Sequence, residues 1–453
     1  MGSLSIGLLN SAQAQRTFTR ALNVIQTNVS NVNTPGYATQ NPDFLNEPFN
    51  PQEGLPGGVG FGNLQDTRSP FAEQAVRGQQ GFLNQNHQLA TDLSRLNPAF
   101  DLNSKSAIPQ TLTDFFNAFS QLAVNPNDPL ARQHVLDAAT ATAQSFRTTA
   151  GKIGEAVSQA DTQINQTAAA INADIEAIQA INVQRRNSPS SQHDAGLDGQ
   201  VYNKLEDLSQ YANIQSIGQP DGTVNIYLAG QTPLLVGTHQ YSISASPTQG
   251  STSILDSSDR DITAQVTSGK LSGLLNLRNT LLPAYSTSLD QLAKSVADSV
   301  NTQLSNGVDS TGASPPLDLF SYDPNGSAAA TIQVTGIQPN QIAAADPAAP
   351  GGNGNALTLA QLGSAKSING LSFNQFYGNI AAKFGSDLSA AQQNTQSAQA
   401  LLSQAQKSRD QLSGVSLDQQ AAQLIQFQQA YQAAGNLFRV LNQLVQDTIN
   451  LIR

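Results

Sequence analysis

The sequence contains no cysteine and no tryptophan, and only 12% of its 453 residues are charged. The absence of cysteine excludes disulfide bonds, thiol nucleophiles and cysteine-ligated metals. The polar surface must therefore depend on Gln, Asn, Ser and Thr. The formal net charge of -10 disfavours binding to nucleic acid or to an anionic membrane surface, because both need clustered Lys and Arg. We expect neither nucleic acid nor a membrane as a partner.

Long apolar runs are also missing. No stretch approaches the ~20 mostly apolar residues that a membrane-spanning helix needs. Residues 1–10 carry no basic side chain ahead of an apolar run, so no cleavable secretory signal is predicted. A chain of this length is expected to fold as about two to four domains.

Patterns for catalysis and metal binding are missing as well. The histidines, which are His87, His134, His193 and His239, are scattered and match no metal-ligand spacing. The glycine-rich segment 57–62 has no lysine after its last glycine, so it is interpreted as a flexible turn and not as a phosphate-binding loop. The sequence therefore predicts no enzyme activity, no cofactor and no metal.

Helical periodicity is present at both ends of the chain. Apolar residues recur at alternating steps of three and four residues near the N-terminus and again over the last forty residues, as in a coiled-coil seam. Pro35 and Gly36 end the first pattern, because a residue before proline disfavours helix and glycine tolerates positive φ. The two ends are therefore predicted to be amphipathic helical arms.

Between the arms, helical patterns surround a segment with strand periodicity. Long helical patterns precede residue 188 and return at 271–304 and near 373, whereas residues 213–267 alternate with a period of two. This order predicts a mainly α, elongated chain with an inserted β domain: terminal coiled-coil helices, a helical stalk and an outer β domain. The predicted bounds are 1–55 and 410–453 for the inner core, 56–195, 270–306 and 364–409 for the stalk, and 196–269 and 307–363 for the outer domain.

The arms carry few charges. Residues 1–42 contain Arg16 and Arg20 but no acidic residue, whereas a solution coiled coil usually shows Glu and Lys beside its seam. In a polymer of identical subunits each exposed charge meets its own copies, so amides are safer contacts. Gly435, within a helical pattern, would allow a neighbouring backbone to approach closely. We hypothesise burial in a homopolymer; an ordinary Gln-rich helical hairpin is the alternative.

Two terminal motifs resemble one family. Asn31-Val-Asn-Thr-Pro-Gly-Tyr37 resembles the N-terminal signature of flagellar rod, hook and hook-associated proteins, and the helix around Tyr431 resembles their Tyr-Gln-Ala-rich C-terminal helix. Interior blocks such as Gly269–Leu275 are similar to the hook-associated protein 1 branch of that family. Ala38 and Thr39 depart from the usual Ser-Arg after the tyrosine, and the resemblance does not extend to the predicted β domain.

The resemblance implies a non-enzymatic subunit at the junction of hook and filament. Its implied partners are copies of itself, the hook protein on one side, and a second hook-associated protein on the filament side. It also implies extracellular location after export by the flagellar type III apparatus. A cytoplasmic export chaperone would bind the C-terminal arm, where Phe438, Leu441 and Val445 are expected to form an exposed stripe.

The arms and the motif between them form the predicted assembly interface. Its residues are Leu4, Leu8, Phe18, Leu22, Ile25, Val29, Asn31, Asn33, Thr34, Pro35, Gly36, Tyr37, Leu424, Tyr431, Gly435, Phe438, Leu441, Val445 and Ile452. Three alternatives stay open: another rod or hook subunit, an extracellular adhesin or hydrolase carried on a flagellar scaffold, and a cytoplasmic coiled-coil adaptor.

Overall fold

The computed structural model describes residues 2–34, 36–50, 55–188 and 194–452. The helices are α1 (Gly2–Ser30), α2 (Pro70–Leu96), α3 (Ile108–Val124), α4 (Pro129–Asn187), α5 (Ala195–Tyr211), α6 (Gly269–Asn276), α7 (Leu282–Ser305), α8 (Ala328–Thr331), α9 (Gly354–Gln361), α10 (Phe373–Ser413) and α11 (Leu417–Ile452). A π-helical segment, Leu277–Leu281, joins α6 to α7. None of the described helices is both long and apolar enough to cross a membrane.

The strands form small antiparallel sheets. They are β1 (Gln40–Asn50), β2 (Leu55–Asp66), β3 (Ile214–Gly218), β4 (Val224–Leu228), β5 (Thr232–Val236), β6 (His239–Gln240), β7 (Ser244–Pro247), β8 (Thr252–Leu255), β9 (Phe320–Ser321) and β10 (Gln333–Val334). β3 to β6 make a four-stranded meander, while β1 pairs with β2, β7 with β8 and β9 with β10. The predicted mainly α chain with an inserted β region is therefore confirmed.

The long helix α4 is the backbone of the molecule. It begins where the sequence predicts a helix start: the Asp128 side chain accepts a hydrogen bond from Leu130 N at 3.0 Å, and Pro129 occupies the first helical position. At about 1.5 Å per residue its 59 residues span about 88 Å. One length of helix can therefore support two separate hydrophobic cores.

The first core surrounds the N-terminal half of α4. Residues of α2, α3, α7 and α10 pack there, and the rings of Phe115, Phe119, Phe146 and Phe320 are fully buried. The second core surrounds the C-terminal half of α4, where α5, α6 and the β3–β6 sheet pack against its buried isoleucines. Together these cores form the body of the molecule, which we define as α2 to α10.

Residues 307–363 pack differently from the predicted grouping. The sequence places them in one outer domain with 196–269, but their apolar side chains lie in the first core and those of β3 to β8 in the second. Asn301 of α7 holds the segment through Phe320 O at 2.8 Å, and Arg132 of α4 donates to Ile342 O at 2.8 Å. The sequence composition indicates strands and loops in residues 196–269 and in residues 307–363. It does not indicate against which helices each of these segments packs.

The glycine-rich segment 57–62 lies in strand β2 and is not the predicted flexible turn. Gly57 and Gly58 have φ of 70° and 114°, which favours glycine, and a Cβ on Gly57 would lie 2.9 Å from Phe49 Cβ. The segment packs on α1, where Thr17 Oγ1 donates to Val59 O at 3.2 Å. The predicted boundary at residue 55 therefore falls inside the β1–β2 hairpin.

Candidate assembly arms and their joint with the body

The two terminal helices pack against each other within one chain. Ala21 and Ile25 of α1 and Phe427 of α11 form a small buried cluster. Phe18 stacks on Phe427 with 6.4 Å between ring centroids, and Phe44 of β1 closes the cluster at 5.5 Å from Phe427. We call α1, the β1–β2 hairpin and α11 the arms.

The predicted α1 contacts are divided between this pair and the solvent. Ile25 is buried, Val29 is 42% exposed, and the other predicted seam residues of α1 are half-buried: Leu4, Leu8, Phe18 and Leu22. Pro35 and the side chain of Ile452 lie outside the described part of the chain.

The predicted exposed stripe of α11 is not the exposed one. Phe438, Leu441 and Val445 are half-buried because α1 covers them; a Cβ on Gly7 would lie 3.0 Å from Leu441 Cδ1. The exposed stripe lies beside them and consists of Leu437, Val440 and Leu444, at 53%, 57% and 45% exposure. Periodicity cannot separate adjacent faces of a helix that is apolar on more than one side.

Three further α11 residues of the predicted interface have clear positions. Leu424 and Tyr431 are exposed. Gly435 faces α1, where an added Cβ would lie 2.7 Å from Gln15 Nε2. Within one chain, Gly435 therefore accommodates the Gln15 side chain of α1, and the predicted approach of a neighbouring subunit's backbone stays a prediction.

Asn28, which the sequence reasoning missed, connects the arms at their base. Its amide donates to Gln40 O at 2.8 Å and to Gln420 Oε1 at 3.0 Å, while its Oδ1 accepts from Tyr37 OH at 2.9 Å. Burial raises the pKa of Tyr37, which keeps its hydroxyl protonated as a donor. In the sequence, only the position of Asn28 could have indicated this role: it lies three residues after Ile25, on the face of α1 predicted to pack.

The signature motif forms a turn below α1. Gly36 has φ of 72°, which explains the glycine, and Thr34 Oγ1 donates to Asn31 Oδ1 at 3.1 Å. Asn33 and Thr34 are exposed. Tyr37 therefore fixes the turn by its bond to Asn28, while the polar residues before it face an open cleft.

The two chain segments that connect the arms to the body are bonded to each other. Thr39 N donates to Ser413 O and Thr39 Oγ1 to Gly414 O, both at 2.8 Å. Thr67 Oγ1 also donates to Ser413 O at 3.1 Å. The bonds connect these two segments, residues 66–69 and 413–416, with residues 36–41, which follow α1. We call the three together the joint.

One cleft of the body brings a tyrosine and an aspartate together. This mostly apolar cleft, of about 400 Å³ between α7 and α10, contains Tyr285, whose hydroxyl donates to Asp387 Oδ2 at 2.7 Å. Burial and this carboxylate raise the pKa of Tyr285 far above its ordinary value, which disfavours a phenolate nucleophile. Among the described residues no three His, Asp or Glu side chains are grouped to hold a metal ion.

Comparisons with known proteins agree on one family. The model of the flagellar hook-associated protein FlgK helical domain matches residues 93–320, slightly more than half of the chain. Flagellar hook-associated protein 1 of Bacillus subtilis is 25% identical, with 99% of each chain covered. That of Salmonella typhimurium is 27% identical over 72% of this chain and 61% of its own length.

A solved structure has the same fold over most of the chain. The flagellar hook junction protein FlgK from Burkholderia pseudomallei aligns with a TM-score of 0.64 at 17% identity. The alignment covers 76% of this chain and all of the other. At this identity the likeness supports the fold alone.

Proposed function

Since the chain belongs to the FlgK family of flagellar hook-associated proteins, we propose that it forms the layer that joins hook to filament, polymerising through its two arms. Its relatives are named as hook-associated proteins, and the described part of the chain offers no catalytic arrangement. The proposed role is mechanical. Neighbouring subunits would pack their arms side by side, while the body lies outside them.

The exposed stripe of α11 carries this proposal. Leu437, Val440 and Leu444 lie beside the face of α11 that packs on α1 through Phe427 and Leu441. Burying such a side chain contributes roughly 1.5–3 kcal/mol, so three in a row strongly favour a partner surface. On β1, Leu45 and Phe49 are exposed as well. A second copy's arm is the occupant we propose for the stripe.

The alternatives have less support. A rod or hook subunit would need the arms but not the long helical body that matches the FlgK helical domain. An adhesin or hydrolase would need a pocket with converging polar groups, and the cleft between α7 and α10 is mostly apolar. A cytoplasmic adaptor is disfavoured because the chain matches a family of flagellar proteins.

The further partners and the location follow from the proposed role. We propose the hook protein on one side of the layer, a second hook-associated protein on the other, and an extracellular position reached through the flagellar type III apparatus. A cytoplasmic export chaperone would bind the C-terminal arm before assembly. If α1 separates from α11 during export, Phe438, Leu441 and Val445 become available beside the exposed stripe.

The chaperone contact can be tested on the isolated arm. Replacing Phe438, Leu441 and Val445 together by Ser should weaken binding of the C-terminal segment to the export chaperone in calorimetry, because three apolar anchors are lost. Unchanged affinity would count against this site.

A deletion strain tests the junction role. Without the gene, cells should keep the hook, lack the filament and shed flagellin into the medium; the intact chain should restore filaments. The triple variant Leu437→Ser, Val440→Ser, Leu444→Ser should be exported but restore none. The matched control changes exposed polar positions of the same helix, Gln428, Gln432 and Gln446, to Ser and should restore them. Filaments on the deletion strain would refute the proposal.

A further inference from the structure

A group of four charged side chains lies directly beneath the joint. We call Arg68, Glu73, Glu206 and Arg409 the charge cluster. Arg68 Nη1 lies 2.9 Å from Glu73 Oε1, and Arg409 Nη1 lies 3.3 Å from Glu206 Oε2 and 3.8 Å from Glu73 Oε2. The side chains of Arg68, Glu73 and Arg409 are almost fully buried, whereas that of Glu206 is 28% exposed.

Each member of the cluster comes from a different part of the chain. Arg68 belongs to the joint, Glu73 to the first turn of α2, Glu206 to α5 and Arg409 to the last turns of α10. The cluster therefore links the segments that lead to the arms with helices of both hydrophobic cores. The angle between arms and body depends on these contacts.

Arg68 is held firmly. Besides Glu73, its guanidinium donates to Gly36 O at 3.1 Å and lies over the Tyr202 ring, 4.4 Å from the centroid. Asp66 Oδ2 adds a second carboxylate contact at 3.4 Å. A carbonyl, two carboxylates and an aromatic face thus hold one guanidinium, and Arg68 fixes the Gly36 turn to α2 and α5.

Arg409 is held more loosely. Its carboxylate contacts on the body are 3.3 Å or longer, and its neighbour Asp410, which is 63% exposed, competes for it at 3.3 Å. Arg77 of α2 adds a third guanidinium near Glu73 and Glu206, and burial lowers the pKa of Arg77. Glu73 is shared between Arg68 and Arg409, and Asp410 already contacts the Nε of Arg409. The Asp410 contact can therefore offset part of the cost when Arg409 leaves Glu206.

There is space beside Arg409 for the arms to move. A cleft of about 540 Å³ separates the motif turn from the end of α10, and its lining includes Asn33, Tyr37, Arg409 and Val415. A Cβ on Gly36 would lie 3.5 Å from Asn203 Oδ1 and 4.0 Å from Arg409 Nη1, so the turn rests against the helix that carries Glu206. Separation of Arg409 from α5 would free this side of the joint.

We propose that Arg409 is a conformational latch: bound to Glu206 and Glu73 it holds the arms at the angle seen here, and its release lets them pivot into the cleft. When Arg409 is released, the hydrogen bonds from Thr39 to Ser413 O and Gly414 O, which tie the arms to the end of α10, open more often. The latch operates within a single chain and does not depend on the proposed junction role.

Hydrogen exchange on the full-length monomer tests the latch. The amide of Thr39, bonded to Ser413 O, should be protected in the parent chain, and Arg409→Gln or Glu206→Gln should speed its exchange about tenfold. Exchange in α3 should not change, because the buried α10 residues of its core end at Ala391, 18 residues before Arg409. Lys407→Gln, at an exposed lysine two residues before Arg409, should leave the joint unchanged. The swap Arg409→Glu with Glu206→Arg should restore protection.

A spin-label measurement tests the pivot itself. Because the chain has no cysteine, Gln26→Cys on α1 and Gln396→Cys on α10 provide two exposed labelling sites. The distance between the two labels should have a narrow distribution in the parent and in Lys407→Gln. In Arg409→Gln the distribution should be broad. The proposal would be overturned if the parent and Arg409→Gln gave equally broad or equally narrow distance distributions. It would also be overturned if the amide of Thr39 were unprotected in the parent. Faster exchange throughout α3 would overturn it as well, since it would mean general destabilisation.

Discussion

The arms and the body differ in how completely they bury their apolar side chains. In the body, the rings of Phe115, Phe119 and Phe146 lie inside a large core, whereas the buried cluster of the arms consists of Ala21, Ile25 and Phe427. Amphipathic helices gain most of their stability from packing and not from helix propensity. The difference supports the proposal that the arms gain further contacts in the assembled layer, whereas the body has its own cores.

The two regions also differ in their polar contacts. At the base of the arms, neutral amides connect Asn28 to Gln420, whereas the border between the body's cores has a largely buried ion pair between Arg278 and Asp161 at 2.8 Å. Both contacts are completed within one chain, so the two regions differ in the kind of group that they bury: amides in the arms and an ion pair in the body.

The largest effect on stability is expected in the body's aromatic core. Phe115→Ala should lower the free energy of unfolding by about 3–5 kcal/mol, because it leaves a cavity among fully buried rings. Phe427→Ala in the arms should cost about 1–2 kcal/mol, since its ring belongs to a small, partly open cluster. Urea unfolding followed by far-UV circular dichroism measures both. Equal losses would remove the distinction between arms and body.

The broad architecture could be predicted from sequence because local patterns determine it. The Asp128 cap, the stop before Ser188 and the strand alternation after Asn213 each lie within a few residues of the structure they produce. The packing of residues 307–363 could not be predicted, since it depends on contacts such as Arg132 with Ile342, 210 residues apart. The hairpin was missed because its glycines serve close packing against β1 and, at Gly58, against Asn10 of α1.

The second largest effect is expected at the ion pair between the cores. Arg278→Ala should cost about 2–3 kcal/mol, because it leaves Asp161 without its cation and Thr248 O without a donor. Lys383→Ala, which breaks an exposed pair with Asp387 on α10, should cost no more than about 1 kcal/mol. Chemical unfolding at low and at high salt checks both values. An equal loss for the two variants would contradict the account.

Alkaline pH should weaken the body. Burial raises the pKa of Tyr377 from 10.0 to about 12, so between pH 10 and 12 the unfolded chain loses this proton while the folded chain keeps it. Stability that is fully present below pH 10 is then lost as the pH rises to 12, by roughly 2–3 kcal/mol. Tyr377→Phe should reduce this loss, and its free energy of unfolding should be close to that of the parent at pH 8. Measured unfolding free energies that fall in parallel for the two proteins between pH 10 and 12 would rule out the effect.

The smallest effect on stability is expected at the exposed stripe of α11. Changing Leu437, Val440 and Leu444 to Ser should alter the free energy of unfolding of the monomer by less than about 0.5 kcal/mol per position, because these side chains are already in water. Thermal unfolding of the monomer checks this value. A large loss would show that the stripe is covered within the single chain.

Which faces of the terminal helices are exposed was only partly predictable. The resemblance found in Asn31–Tyr37 and around Tyr431 is confirmed by the family match over residues 93–320, which lies outside both motifs. The sequence predicts an exposed stripe that begins at Phe438, whereas the exposed stripe of the structure begins one residue earlier, at Leu437. Only the way in which α1 packs on α11 decides which of these two faces is covered. Asn28 and the charge cluster required the three-dimensional contacts.

The arms' contact with other copies is the central claim, and cross-linking in intact flagella tests it most directly. A photo-reactive amino acid at Val440, on the exposed stripe, should give covalent dimers of this chain when filaments are attached. The same residue at Val236, an exposed position in β5 of the body, should give few. Dimers from Val236 and none from Val440 would contradict assembly through the arms.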